Sequence, residues 1–139
     1  MNDDTHIIVD KSLNRLYLFS GGELIHRYPV STGREAGLTP EGCFTIVNRF
    51  PLSGESNSAL GSHWLGLSAP PGPLGGSYGI HGTDEPHLIG EHVSAGCIRL
   101  HPDDIVDLYQ RVEEGTLVCI RRGPLWLWRL GDWLQRQKT

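Results

Sequence analysis

Glycine and proline interrupt this chain too often for long helices to form. Eighteen glycines and nine prolines fall among 139 residues. They separate short runs rich in branched and aromatic residues, and such punctuation selects a strand-rich fold over a helical bundle. His6 to Asp10 and Arg15 to Ser20 read as strands about the polar turn Lys11–Asn14. Gly21-Gly22 offers the positive φ that a tight hairpin requires and leads into a strand over Leu24–Ser31. Thr39-Pro40-Glu41-Gly42 is a further turn, before a strand over Cys43–Asn48. This first third reads as a β-meander with alternating character that buries one face only.

The middle, from Phe50 to Gly79, is rich in Gly, Pro and Ser, with a short strand-like run at Trp64–Leu67. A loop of this length either lines a site or is a flexible surface excursion. One helix is clear over Pro102–Glu114. Pro102 suits its first turn, Asp103 and Asp104 favour its positive end, and Gly115 marks the stop. Ile105, Leu108, Tyr109 and Val112 form its apolar stripe, and a strand over Thr116–Arg121 follows. Two parts are therefore expected: one domain over 1–123 and a tail over 124–139. In that tail Trp126, Trp128 and Trp133 interleave with leucines. It reads as an amphipathic helix packed on its own domain; a membrane-surface or dimer contact is the sharper alternative.

A net charge of −4 argues against a nucleic-acid partner, for which a basic face is expected. No segment approaches the roughly 20 apolar residues of a membrane span. The opening MNDDTHIIVD is acidic and then strand-like, unlike an export signal. The expected location is the cytoplasm, with a periplasmic or wall-associated site as the alternative if an export signal has been removed. Three cysteines, an odd number in no disulfide or zinc-ribbon spacing, fit a reducing compartment. Cys43 and Cys119 lie in apolar strand-like runs and read as small buried hydrophobes. Cys97, in SAGCIRL, has a different character.

Seven histidines raise the question of a metal. His81, His87 and His92 share a short stretch with Cys97, yet their spacing matches no helical HExxH pair and no CxxC ribbon. Turn-forming Gly82, Pro86 and Gly90 between them make a poor frame for ligands, so neither metal nor cofactor is called for. Nucleophilic catalysis is the other reading. A cysteine attacks a carbonyl as its thiolate, and a neighbouring histidine supplies that form by taking the proton. Cys97 is the candidate nucleophile and His81, at the end of the short run Gly79-Ile80-His81, the candidate base. Gly96 and Cys97 would present backbone N–H groups to an oxyanion. By spacing alone this pair is weak, because a lone cysteine is more often inert.

The segment IHGTDEPHLIGEHVSAGCIRLHPDDIVDLYQRVEEGTLVCI resembles the catalytic region of the L,D-transpeptidase (YkuD-like) family. That family pairs a His-Gly with a later Ser-x-Gly-Cys, an apolar residue, and Arg or Asn. Here these are His81-Gly82, Ser94, Gly96-Cys97, Ile98 and Arg99. IIVDKSLNRLYLFSGGELIHRYPVSTG is similar to the family's opening strands, TPEGCFTIVNR to its turn and strand, and HWLGLS to its pre-catalytic loop. The resemblance covers roughly residues 6 to 121. It implies a mostly antiparallel β-sandwich or barrel with one principal helix.

It also implies that Cys97 is the nucleophile and His81 the general base, with Ser94 and Gly96 shaping the turn and oxyanion pocket. Arg99 would pair with a substrate carboxylate, with an intramolecular partner such as Asp103 as the plainer alternative. Gly82, Tyr78 and Trp64 complete the expected substrate-binding set. Many relatives carry histidine between the serine and the glycine, where this chain has Ala95. The implied substrate is a peptidoglycan tetrapeptide stem, cut before its terminal D-alanine through a Cys97 thioester. Water as acceptor makes the chain an L,D-carboxypeptidase of peptidoglycan recycling, which is the expected activity. An amine acceptor makes it a cross-linking L,D-transpeptidase. A catalytically silent peptidoglycan-binding module is the alternative of another class.

Overall fold

In this computed structural model the described residues are 4–35, 37–52, 59–72 and 76–123. The Trp- and Leu-rich tail, for which a packed helix is expected, lies outside them. Nine strands and one α-helix make up the described chain: β1 His6–Asp10, β2 Arg15–Ser20, β3 Glu23–Gly33, β4 Gly42–Pro51, β5 His63–Leu67, β6 Gly79–His81, β7 His92–Ser94, β8 Ile98–Leu100, α1 Pro102–Arg111 and β9 Leu117–Arg121. A single 3-10 turn, Pro86–Leu88, precedes β7.

The strands join in the order β2-β1-β9-β4-β5-β6-β8-β3-β7, and β3 also pairs with β2. That second pairing closes eight strands into a ring and leaves β7 on its rim. The length of β3 makes the closure possible. Its first half, through Pro29, runs antiparallel to β2. Val30 and Ser31 then pair with Leu100 and Arg99 of β8, and Thr32 and Gly33 with β7. Three pairings are parallel, β1·β9, β6·β8 and β3·β7. The fold is the mostly β barrel-like architecture expected, with one principal helix.

Ile7 and Val9 of β1, Leu16 and Leu18 of β2, Ile80, Ile98 and Leu100 meet Ile105 and Leu108 of α1 in one core. Removing each such side chain from water contributes about 1.5–3 kcal/mol. The opening hairpin is as expected: Gly21 and Gly22 have φ of 60° and 82°, the turn that suits the strand twist.

Four sequence expectations are corrected. The strand after Gly42 does not extend the meander; β4 pairs with β9 and β5 instead. Nor does β1 bury only one face, because Ile8 is fully buried opposite the main core, beside Tyr17 and Phe19. Its neighbours β2 and β9 satisfy both of its hydrogen-bonding edges. The helix stops at Arg111 rather than Glu114, since Val112 is already extended. Gly115, with φ of 93°, serves the turn after the helix, where the Thr116 N–H donates to the Glu113 carbonyl. Finally, Cys43 and Cys119 are not separate buried thiols. They face each other across β4 and β9 with Cα atoms 4.0 Å apart and form a disulfide. Strand register brings together two cysteines 76 residues apart, which linear spacing could not show.

Candidate active site

The site is built where two very short parallel strands run side by side. Ile80 pairs with Ile98 and His81 with Arg99 across β6 and β8. Cys97 stands immediately before β8 and two residues from Arg99, so strand alternation sets the cysteine, the arginine and its partner His81 on one face of the pair. All three line a cavity of about 210 Å³, together with Leu60, Tyr78, Ser94 and Ala95. Cys97 is the only free cysteine among the described residues and is partly exposed there.

Side chains bonded to backbone fix the turn that presents Cys97. The Ser94 hydroxyl donates to the Cys97 carbonyl at 2.7 Å and accepts the Gly96 N–H at 3.1 Å. On the other side the Thr39 hydroxyl donates to the Gly96 carbonyl at 2.9 Å and accepts the Gly33 N–H at 2.8 Å. Gly96 has φ of 141°, and a Cβ there would come within 2.6 Å of both the Leu38 carbonyl oxygen and the Tyr78 ring. Only glycine fits a backbone of that sign pressed that closely. Because the Gly96 N–H is taken up by Ser94, Gly96 shapes the turn instead of donating to an oxyanion. Ser94 has the same structural role and is itself buried.

His81 is held in its neutral form. Its Nδ1–H donates to the adjacent Gly82 carbonyl at 2.6 Å, which leaves the lone pair on Nε2. Burial holds its pKa far below the usual 6.5, down to about 4, and the nearby Arg99 charge acts in the same direction. The Gly82 and Leu60 carbonyls oppose that shift without reversing it. Trp64 lies 5.7 Å from the imidazole in a stacked arrangement, with its Nε1–H on Asn48 at 3.0 Å.

Burial also pushes the Cys97 thiol above its ordinary range, against the opposing influence of the Gly79 N–H and Arg99. The thiol donates weakly to the Ser77 carbonyl at 3.6 Å. At neutral pH the resting pair is thus an uncharged thiol and an uncharged imidazole. The Arg99 charge acts toward the thiolate form of Cys97.

Arg99 does not pair with Asp103. Its guanidinium approaches Glu85 at a loose 3.9 Å and remains on the cavity wall. Tyr78 also lines the cavity, with burial and the neighbouring Cys97 raising its pKa. Trp64 and Gly82 do not line it: Trp64 backs the His81 ring, and Gly82 acts through its carbonyl while packing on Ile105 and Gly61. The other two histidines of that stretch are elsewhere, His87 exposed in the 3-10 turn and His92 on the Lys11 carbonyl at 2.8 Å. Sequence reasoning missed Thr39, Leu60, Asn48 and Ser77. Two of them act through backbone carbonyls, which residue identity does not signal; for Thr39 the only sign was its place in the Thr-Pro turn.

The model of the L,D-transpeptidase catalytic domain, YkuD, matches residues 4–120. The chain belongs to that family. Among relatives, it is 36% identical over 126 residues to YqjB of Bacillus subtilis, covering 84% of this chain and 71% of that one. It is 40% identical over 122 residues to YkuD of Bacillus licheniformis, covering 86% and 68%. Both carry the name of L,D-transpeptidase. A solved L,D-transpeptidase from Mycobacterium smegmatis superposes with a TM-score of 0.68 at 23% identity, over 85% of this chain and 58% of that one. That likeness concerns the fold. The chain therefore spans more than half, but not all, of the length of these relatives.

Proposed function

We propose that this L,D-transpeptidase-family chain cleaves peptidoglycan tetrapeptide stems between the third residue and the terminal D-alanine, with water as acceptor. The observation that carries the reading is the convergence of Cys97, His81 and Arg99 on one cavity, with His81 held neutral beside an unpaired thiol. Arg99 binds a substrate carboxylate through its planar guanidinium. Cys97 sulfur adds to the carbonyl carbon while His81 takes the thiol proton. With Gly96 N–H occupied, the Cys97 N–H is the turn's donor to the resulting oxyanion. The intermediate collapses as the C–N bond breaks, and His81 returns the proton to the departing D-alanine nitrogen. Water then attacks the thioester, His81 takes its proton, and the thiol is restored with release of the tripeptide.

In this reading the protein trims soluble fragments during recycling, in the cytoplasm. A second reading, cross-linking outside the cytoplasmic membrane, is favoured by the Cys43–Cys119 disulfide, since such bonds persist in oxidising compartments.

The deciding experiment is mass spectrometry of the protein incubated with a soluble tetrapeptide stem, beside Cys97→Ala. Cys97-dependent loss of D-alanine without dimers is expected; dimers would assign cross-linking. If Cys97→Ala performs as the wild type does, the catalytic reading fails and a binding module takes its place.

A further inference from the structure

A second and larger cavity, of about 290 Å³, lies behind the catalytic turn. Its lining includes Lys11, Arg34, Arg122 and His92, against a single acid, Glu35. In a chain of net charge −4 this is a local reversal of sign. Lys11 is 6% exposed, and its ammonium donates to the Thr39 carbonyl at 2.6 Å and pairs with Glu41 at 3.2 Å. Three donors with two such acceptors leave one N–H of Lys11 for a ligand. Arg34 and Arg122 are exposed and enter no ion pair among the described residues.

The cavity shares a wall with the catalytic turn. The Arg34 N–H donates to the Ser94 carbonyl at 2.8 Å, and Thr39 links the Lys11 ammonium to the Gly96 carbonyl. Guanidinium forks beside a buried ammonium form a receptor for a planar oxyanion. A tetrapeptide stem offers carboxylates away from the bond that is cut, and binding energy gathered there would help hold the reacting end.

Resting on the function proposed above, we propose that this cavity is a carboxylate subsite for a part of the peptide stem remote from the reacting bond. The test compares full-length wild type with the Arg34→Gln/Arg122→Gln double variant. Two soluble tetrapeptides are used, one with free carboxylates and one with the carboxylates remote from the cut amidated. With the free peptide, the double variant should raise KM about tenfold and leave kcat within about twofold. The amidated peptide should show the high KM in both proteins. Independently, titrating Cys97→Ala protein with the free peptide should move the His92 imidazole signals as well as those of His81.

An unchanged KM in the double variant would overturn the subsite. So would an equal loss with the amidated peptide, or His92 signals that stay still. If inorganic phosphate competes with the peptide in wild type but not in the double variant, at concentrations below KM, the cavity is a phosphate site and the carboxylate assignment fails. Absence of any D-alanine release by wild type would instead count against the proposed reaction, while the His92 titration still decides the subsite.

Discussion

The two halves of the closed sheet are built on different principles. From β2 through β1 and β9 to β4, strands of five to ten residues pair over long registers and are tied by a disulfide. On the other side β6, β8 and β7 have only three residues each, with the end of the long β3 between β8 and β7. Side chain to backbone bonds from Ser94 and Thr39, and a glycine that admits no Cβ, hold this second half. The first half is stabilised by burial summed over many residues, which tolerates small errors. The second is specified by single contacts, each of which positions the turn that carries Cys97. Stability and catalytic geometry should therefore respond to different substitutions.

The largest stability effect should come from the long-stranded half. Ile7→Ala removes a fully buried core side chain and should lower unfolding free energy by about 2–5 kcal/mol. Denaturant unfolding measures it, and activity below the transition should persist. Breaking the cross-strand bond with Cys43→Ala/Cys119→Ala should lower stability by about 2–4 kcal/mol, because it frees a long loop in the unfolded chain. D-alanine release at saturating substrate should stay within about twofold, since neither cysteine lines the catalytic cavity. A larger loss of turnover would join the two halves and break the comparison.

Acid sharpens it from the site side. His81 titrates near 6.5 when unfolded and at about 4 when folded. The unfolded chain thus takes up a proton first as pH falls, so this contribution is complete above pH 6.5 and is lost on the way to 4. The difference amounts to about 3 kcal/mol at the acid limit. His81→Gln should flatten that part of the stability profile, and kcat/KM of the wild type should keep its plateau well below pH 6.5. An acid limb near the ordinary histidine value would contradict the buried neutral base.

The smallest effect tests the turn. Thr39→Val removes the hydroxyl that bridges Gly33 and Gly96 and should lower stability by about 1–2 kcal/mol. Its effect on kcat should exceed that of Ile7→Ala, which makes the smaller destabilisation the more damaging to turnover. The reverse ranking would show that the turn is held by the sheet as a whole.

The sequence by itself determined the strands that carry their own signal. The branched and aromatic runs at His6–Asp10 and Arg15–Ser20, the Gly21-Gly22 hairpin and the start of α1 at Pro102 are local effects of sterics and burial. Cys97, His81 and Arg99 were legible through their motif, which keeps a fixed spacing on either side of one loop. What only the tertiary structure decided depends on partners distant in the chain. β7 and β8 are too short to show a period and exist because β3 and β6 lend them hydrogen bonds. Cys43 meets Cys119 because β4 joins β9, a choice of register no linear pattern states. Trp64 backs His81 because they pair across β5 and β6, and Gly96 serves the turn because Ser94 engages its N–H. Local backbone preference is written residue by residue, whereas register and burial are properties of the closed ring.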